Sequence, residues 1–250
     1  MRKILTGAIA LQVLLYLAVA GTAQAQDKPK DSYIYVTYFY CDVTQQERAD
    51  QIVEQLEKPF YDAAVADGTI TSWTWLAHHT GGKWRRALAY RAPSIQGLVD
   101  AQKKIGDQIE AKNEKMSNEL GKICNSHDDY IWKVVAGNIG TVSGSAAFSV
   151  YNVCDASREE QADALVTQVF APIFDKLVAE GKLKSWGWIE HIVGGEYRRV
   201  STFQATDMKA LMEARATIIQ EIFDNPLGDT FTDICGKHAD YMWEIKFANP

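Results

Sequence analysis

The sequence predicts an α+β protein of two tandem βαββαβ repeats, packed sheet to sheet with helices outside. Three observations predict it. The chain matches itself at an offset of 113: 20 of the 46 positions from Cys41 to Arg86 coincide with Cys154 to Arg199, far above a chance self-match. Each copy carries a Trp-rich stretch around a Gly-Gly pair, Ser72 to Arg86 and Ser185 to Arg199, which reads as a β-hairpin. Each copy holds two cysteines, Cys41 and Cys124, then Cys154 and Cys235.

Taken in order, each copy opens with an aromatic strand, Tyr33 to Cys41 and Ala147 to Cys154. Thr44-Gln45-Gln46-Glu47 and Ser157-Arg158-Glu159-Glu160 have the form of capping boxes that start a helix. Apolar stripes follow at helical spacing: Ala49, Ile52, Val53 and Leu56, then Ala162, Leu165, Val166 and Val169. Pro59 and Pro172 should kink or split these helices, and Gly68 and Gly181 should end them. After the hairpin comes a second helix, Ser94 to Cys124. Its counterpart starts near Asp207 and is interrupted at Asn225-Pro226. Aromatic strands close the copies, Tyr130 to Val135 and Tyr241 to Phe247. The order β-α-β-β-α-β is the ferredoxin-like unit.

In a sheet of order 4-1-3-2, strand 1 and helix 2 end at one edge. That placement predicts disulfides Cys41–Cys124 and Cys154–Cys235; four free buried thiols are the alternative.

With Gly81-Gly82 and Gly194-Gly195 as two-residue turns, His78 faces Arg85 and His191 faces Arg198, at roughly 5 Å between Cβ atoms. Alternation puts Trp73, Trp75, Trp84, Arg86 and Tyr90 on the other face, with Trp186, Trp188, Tyr197, Arg199 and Phe203 as counterparts. A guanidinium disfavours imidazolium, so His78 and His191 are candidate bases, and Arg85 and Arg198 could hold an anion. The alternative is a structural pair at the sheet rim. Arg86 and Arg199 among aromatic rings suit an anionic or aromatic ligand. Glu190 faces Arg199 and Ala77 faces Arg86, so the first copy is the freer site. The bland reading is Arg stacked on Trp and Trp in the core. His127 with Asp129, and His238 with Asp240, could act as bases, but capping the second helix is the ordinary role.

Arg2-Lys3, the apolar run Ala8 to Ala20 and Ala23-Gln24-Ala25 read as a secretory signal over 1–25. Repeats are expected over 26–135 and 146–250, joined by a Gly/Ser/Thr-rich linker over 136–145. Of the chain's 26 basic side chains the signal carries two, leaving 24 against 32 acidic, a formal charge of −8. That balance argues against nucleic acid and, after signal cleavage, against an anionic membrane as partners. An exported chain, periplasmic or extracellular and a monomer or weak homodimer, is expected. No phosphate loop, G-x-S-x-G, H-E-x-x-H, haem-attachment motif or metal-ligand spacing is present.

A single ferredoxin-like unit leaves one sheet face bare, and both hairpin faces here carry large groups. In this the chain resembles the dimeric α/β-barrel superfamily, which includes antibiotic-biosynthesis monooxygenase-like and stress-responsive barrel proteins, with the two units fused in one chain. The resemblance rests on topology and implies a pseudo-dimeric barrel with a small-molecule pocket between the units. No cofactor is expected, with non-covalent haem left open because some of these barrels bind it. Three functions follow: a binding protein for a small molecule, a cofactor-independent oxygenase, isomerase or cyclase using the His/Arg pairs, or an envelope protein with a purely structural role.

Overall fold

Strand β1 (Tyr33–Tyr40) alternates, with Ile34, Val36 and Tyr38 buried on one face and Tyr35, Thr37 and Phe39 half-buried on the other. It begins the computed structural model, which describes residues 32–250. The expected signal, 1–25, lies outside the described residues. Helix α1 (Gln46–Ile52) runs through a π-helical turn, Val53–Glu57, into α2 (Lys58–Ala66). Pro59 explains the widened turn. It lacks an N–H and sits in the first turn of α2, while Lys58 N–H reaches back five residues to Val53. Strands β2 (Ser72–Gly81) and β3 (Arg86–Ala92), helix α3 (Ile95–Ile123) and β4 (Ser126–Gly137) complete the first half.

The second half repeats that order: β5 (Ala146–Val153), α4 (Glu159–Leu165), a π-helical turn at Val166–Phe170, α5 (Ala171–Ala179), β6 (Ser185–Val193), β7 (Arg199–Ala205), α6 (Met208–Phe223), α7 (Gly228–Cys235) and β8 (Lys237–Asn249). The break between α6 and α7 falls at Asn225-Pro226, where it was expected.

The eight strands form one closed antiparallel barrel, β1-β3-β2-β8-β5-β7-β6-β4. Each half contributes the order 4-1-3-2, and the halves join at two seams, β2–β8 and β4–β6. The sheets are therefore hydrogen-bonded edge to edge rather than merely stacked. Closure leaves no unpaired strand edge exposed. The helices pack outside, over two apolar cores, and a third core fills the barrel interior. Both expected disulfides are present, Cys41–Cys124 and Cys154–Cys235.

The helix starts differ from the capping-box expectation. Asp42 Oδ1 accepts from both the N–H and the hydroxyl of Thr44, at 2.8 and 2.7 Å, and Asp155 does the same for Ser157. These hydroxyls are thus donors to the preceding carboxylate, and Gln45 and Arg158 take the cap positions without a side-chain capping bond. Ser94 and Asp207, in contrast, cap α3 and α6 through Gly97 N–H and Ala210 N–H.

Candidate functional site

The hairpin register holds. Ala77 pairs with Arg86 and Glu190 with Arg199, and His78 N–H and His191 N–H donate to the Arg85 and Arg198 carbonyls. The turns differ from the two-residue form, because only the first glycine of each pair, Gly81 and Gly194, has positive φ. β2 pairs with β8 from Trp73 onward, and past His78 it leaves β3 and keeps only that pairing, Gly81 opposite Tyr241. The second glycines make room for the opposite half. A Cβ on Gly82 would lie 1.9 Å from the Tyr241 hydroxyl, and one on Gly195 would lie 2.5 Å from that of Tyr130.

This splitting corrects the face assignment. Trp84 turns into the barrel, where it stacks on Tyr38 and Tyr241 at 4.1 and 4.9 Å. Tyr197 packs at the same end, against Trp84 and Tyr151. Trp73, Trp75, Trp186 and Trp188 face outward into the helix-side cores. Their indole N–H groups donate to Asp62, Asp50, Asp175 and Asp163 at 2.7–2.8 Å. Arg86 and Arg199 lie on that outer side too. Arg86 forks onto Asp50 at 2.7 and 2.8 Å. Arg199 forks onto Asp163 and reaches Glu159 at 3.1 Å, with Glu190 at 3.9 Å. Both guanidinium groups are buried and neutralised, which is why they do not line the lumen.

The His/Arg pairs are real neighbours, and they differ. His191 Nδ1 lies 2.8 Å from Arg198 Nη1, and Arg198 Nε donates to Glu159 at 2.7 Å. His78 Nε2 instead meets the Gly81 carbonyl at 2.9 Å, leaving His78 Nδ1 and Arg85 Nε buried without partners. The position of Glu159 is Gln46 in the first half, so no carboxylate reaches Arg85 among the described residues. Burial first, and then the Arg85 and Arg198 charges, hold both imidazoles below their ordinary value. Each ring sits edge-on to a Tyr/Trp pair of the other half: His78 to Tyr241 and Trp243, His191 to Tyr130 and Trp132. His127 pairs with Asp129 at 3.0 Å on β4 rather than capping α3. His238 reaches the Gly236 carbonyl beyond α7 at 3.3 Å, nearer the expected cap.

The lumen has two ends. The hairpin end is filled by the stacked rings. The other end holds a cavity of about 90 Å³, with Val36 and Ala89 from the first half and Ala147 and Val200 from the second on its wall. Its polar lining includes Thr74, Ser149, Thr202, Tyr38 and Tyr151. Burial, and behind it the Tyr151 neighbour, holds the Tyr38 phenol well above its ordinary range. Burial raises Tyr151 likewise, so both stay protonated donors. Arg91, at the end of β3, lies here beneath the linker residues Ile139 and Gly140. It was absent from the sequence-based candidates. The repeat carried the signal, since alternation puts Arg91 on the inward face with Ala87 and Ala89, and its counterpart is the neutral Gln204.

A second cavity, about 140 Å³, lies between sheet and helices of the second half, lined by Phe148, Phe170, Phe203, Arg215 and Ile218. Arg215 there is paired with Asp240 at 2.9 Å and lies 4.3 Å from the Phe148 ring centre. The first-half positions are Tyr35, Glu57, Tyr90, Gln102 and Ile105. Burial pushes the Glu57 carboxyl up to about 7.

Neither of these two cavities presents a histidine, methionine or thiol, and both fall well below the roughly 300 Å³ at which pockets for drug-sized ligands begin. Their residues do not fit haem. Among the described residues no group of three or more His, Cys, Asp or Glu is arranged to hold a metal, and no helix is long and apolar enough to cross a membrane.

No family model matches the chain, and no curated protein matches it by sequence. Solved structures do match. A candidate monooxygenase from Lactobacillus acidophilus NCFM superposes with TM-score 0.60 at 5% identity, covering 87% of this chain and 95% of that one. A candidate monooxygenase from Fusobacterium nucleatum subsp. nucleatum gives TM-score 0.60 at 7% identity, covering 87% and 94%. A chlorite dismutase variant from Candidatus Nitrospira defluvii, in complex with cyanide, gives 0.54 at 10% identity, covering 88% and 91%. At such identities the likeness is one of fold. The chain shares with these proteins an α+β architecture closed around an eight-stranded antiparallel barrel.

Proposed function

We propose that the chain is an exported small-molecule-binding protein whose ligand occupies the barrel lumen between two fused ferredoxin-like repeats. The observation that carries this is the cavity at the linker end. It takes its wall from both halves, and it mixes aliphatic side chains with hydroxyl groups. A few polar groups set in an apolar wall are what orients a bound molecule. A barrel that served stability alone would be filled at both ends, as it is at the hairpin end. Export is supported by the signal-like start of the sequence and by two disulfides, which persist in oxidising compartments. Both halves of the barrel are present in one chain, so a monomer suffices.

A second reading is a cofactor-independent enzyme with His78 or His191 as base. It is favoured by the buried ring nitrogens left without partners, His78 Nδ1 and His191 Nε2. Neither ring lines the lumen cavity or the one beneath the helices, so the binding reading comes first.

The test is mass spectrometry of small molecules released from protein purified from its native compartment. One stoichiometric compound is expected, and it should be lost in Ala147→Leu, which fills the cavity wall. A chain that carries nothing, and is stabilised by nothing in a library of small metabolites, contradicts the reading.

A further inference from the structure

We propose that the lumen cavity is a carboxylate site, with Arg91 as the charge partner and a short-chain organic acid of about acetate to propionate size as its ligand. This rests on the reading that the lumen binds a ligand at all, and it names the chemical class.

Arg91 is a half-buried cation whose hydrogen-bond partners are neutral. Nη1 donates to the Ile139 carbonyl and Nη2 to the Ser32 hydroxyl at 2.8 Å. Nε is buried with no partner. A guanidinium offers five N–H groups in a fixed fork, and this one is only partly used. No acidic residue lines the cavity, and no Asp or Glu pairs with Arg91 among the described residues. The contrast with Arg86, Arg198 and Arg199, each held by a carboxylate, is sharp in a chain of net negative charge. A cation partly withdrawn from water with no carboxylate beside it is destabilising, and a bound anion would offset that.

Holding the linker does not require the charge. The equivalent position in the second half is Gln204, whose Oε1 accepts the Gly144 N–H at 3.1 Å. A neutral amide therefore anchors this stretch from the other side. The linker is nonetheless shaped around the guanidinium. Gly140 has φ +78°, and a Cβ there would lie 1.9 Å from Arg91 Nη1.

Size and lining narrow the ligand. A cavity of about 150 Å³ admits benzene, so one of about 90 Å³ takes something smaller than an aromatic ring. The hydroxyl groups of Thr74, Thr202, Tyr38 and Tyr151 can donate to carboxylate oxygens, and Ile34 and Val200 can cover a short alkyl tail.

The experiment is calorimetric titration of the purified full chain with sodium propionate and with propionamide, its neutral near-isostere, at matched ionic strength. Propionate should bind one equivalent, about tenfold or more tighter than propionamide, the loss of one charge-assisted pairing. Arg91→Gln, which copies Gln204, should abolish that preference. Ala89→Leu keeps the guanidinium but fills the cavity, and should abolish binding of both; it serves also if Arg91→Gln does not fold. Equal binding of the two compounds, or a preference that survives Arg91→Gln, overturns the carboxylate assignment while leaving a lumen site in place. Tight propionate binding that survives Ala89→Leu places the anion elsewhere and overturns it as well. Binding of neither compound at tens of millimolar overturns the assignment and removes support for the lumen reading.

Discussion

Asp50 on α1 closes the guanidinium of Arg86 on β3 in a two-bond fork at 2.7 and 2.8 Å, and its Oδ1 also accepts the Trp75 indole N–H. The same arrangement joins Asp163 to Arg199 and Trp188. Each first helix is thus fixed to its hairpin by one carboxylate buried behind the sheet. Removing one member of a buried pair leaves an unpaired charge, which costs about 3–5 kcal/mol. Asp50→Ala should lose about that much in urea unfolding, whereas Asp50→Leu combined with Arg86→Met should recover most of it. A loss below about 1 kcal/mol, the range of an exposed pair, would contradict the account.

The disulfides join the end of each opening strand to the end of the last helix. Removing one of them, as Cys41→Ser with Cys124→Ser, should cost about 2–5 kcal/mol. The barrel should then become less resistant to denaturant in the second-half pair too, because the seams make the halves one cooperative unit. Two separate unfolding transitions in the intact protein would argue against that unit.

Glu57 stands where the second half places the buried Phe170. Burial raises its carboxyl from 4.5 to about 7. The folded state therefore favours the protonated acid. That contribution is complete below pH 4.5 and is lost as the pH rises through about 7, a change on the order of 3 kcal/mol at most. Glu57→Gln should match the parent near pH 4 and exceed it in stability at pH 8. Equal stability of the two at pH 8 would show the carboxyl to be ordinarily solvated.

His78 and His191 act with the opposite sign. Their imidazoles are depressed below 6.5, so they support the fold above that pH and withdraw support as it falls. A His78→Gln, His191→Gln pair should flatten the acid limb of the stability profile below pH 6.5. An unchanged acid limb would mean that both rings titrate as in the unfolded chain.

Much of this fold was legible because the chain is its own comparison. The repeat fixed equivalent positions, the strand order of the ferredoxin-like unit gave the cysteine pairs, and the His78–Arg85 and His191–Arg198 register followed from placing the turn at the Gly-Gly pair. The misreadings were local competitions. Thr44 reads as a cap, but Asp42 lies two residues away and takes its hydroxyl. Trp84 reads as a continuation of β3, but past His78 β2 parts from β3 and keeps only its pairing with β8, across a seam that a single hairpin does not reveal. Arg86 reads as a free cation among rings because its partner, Asp50, is on another element. The clue was an acid set within the apolar stripe of the helix in both copies, at Asp50 and Asp163. Arg91 carries no repeated pattern, since it stands where the copies differ, with Gln204 at the equivalent position.

The most direct measurement is the Arg91 Nε–H resonance in a two-dimensional nitrogen–proton NMR spectrum, assigned by its loss in Arg91→Gln. If the lumen holds a carboxylate against this guanidinium, saturating propionate moves that resonance downfield and slows its exchange with water. A resonance that stays in place and keeps its exchange rate, while signals at other sites respond to propionate, would contradict the account.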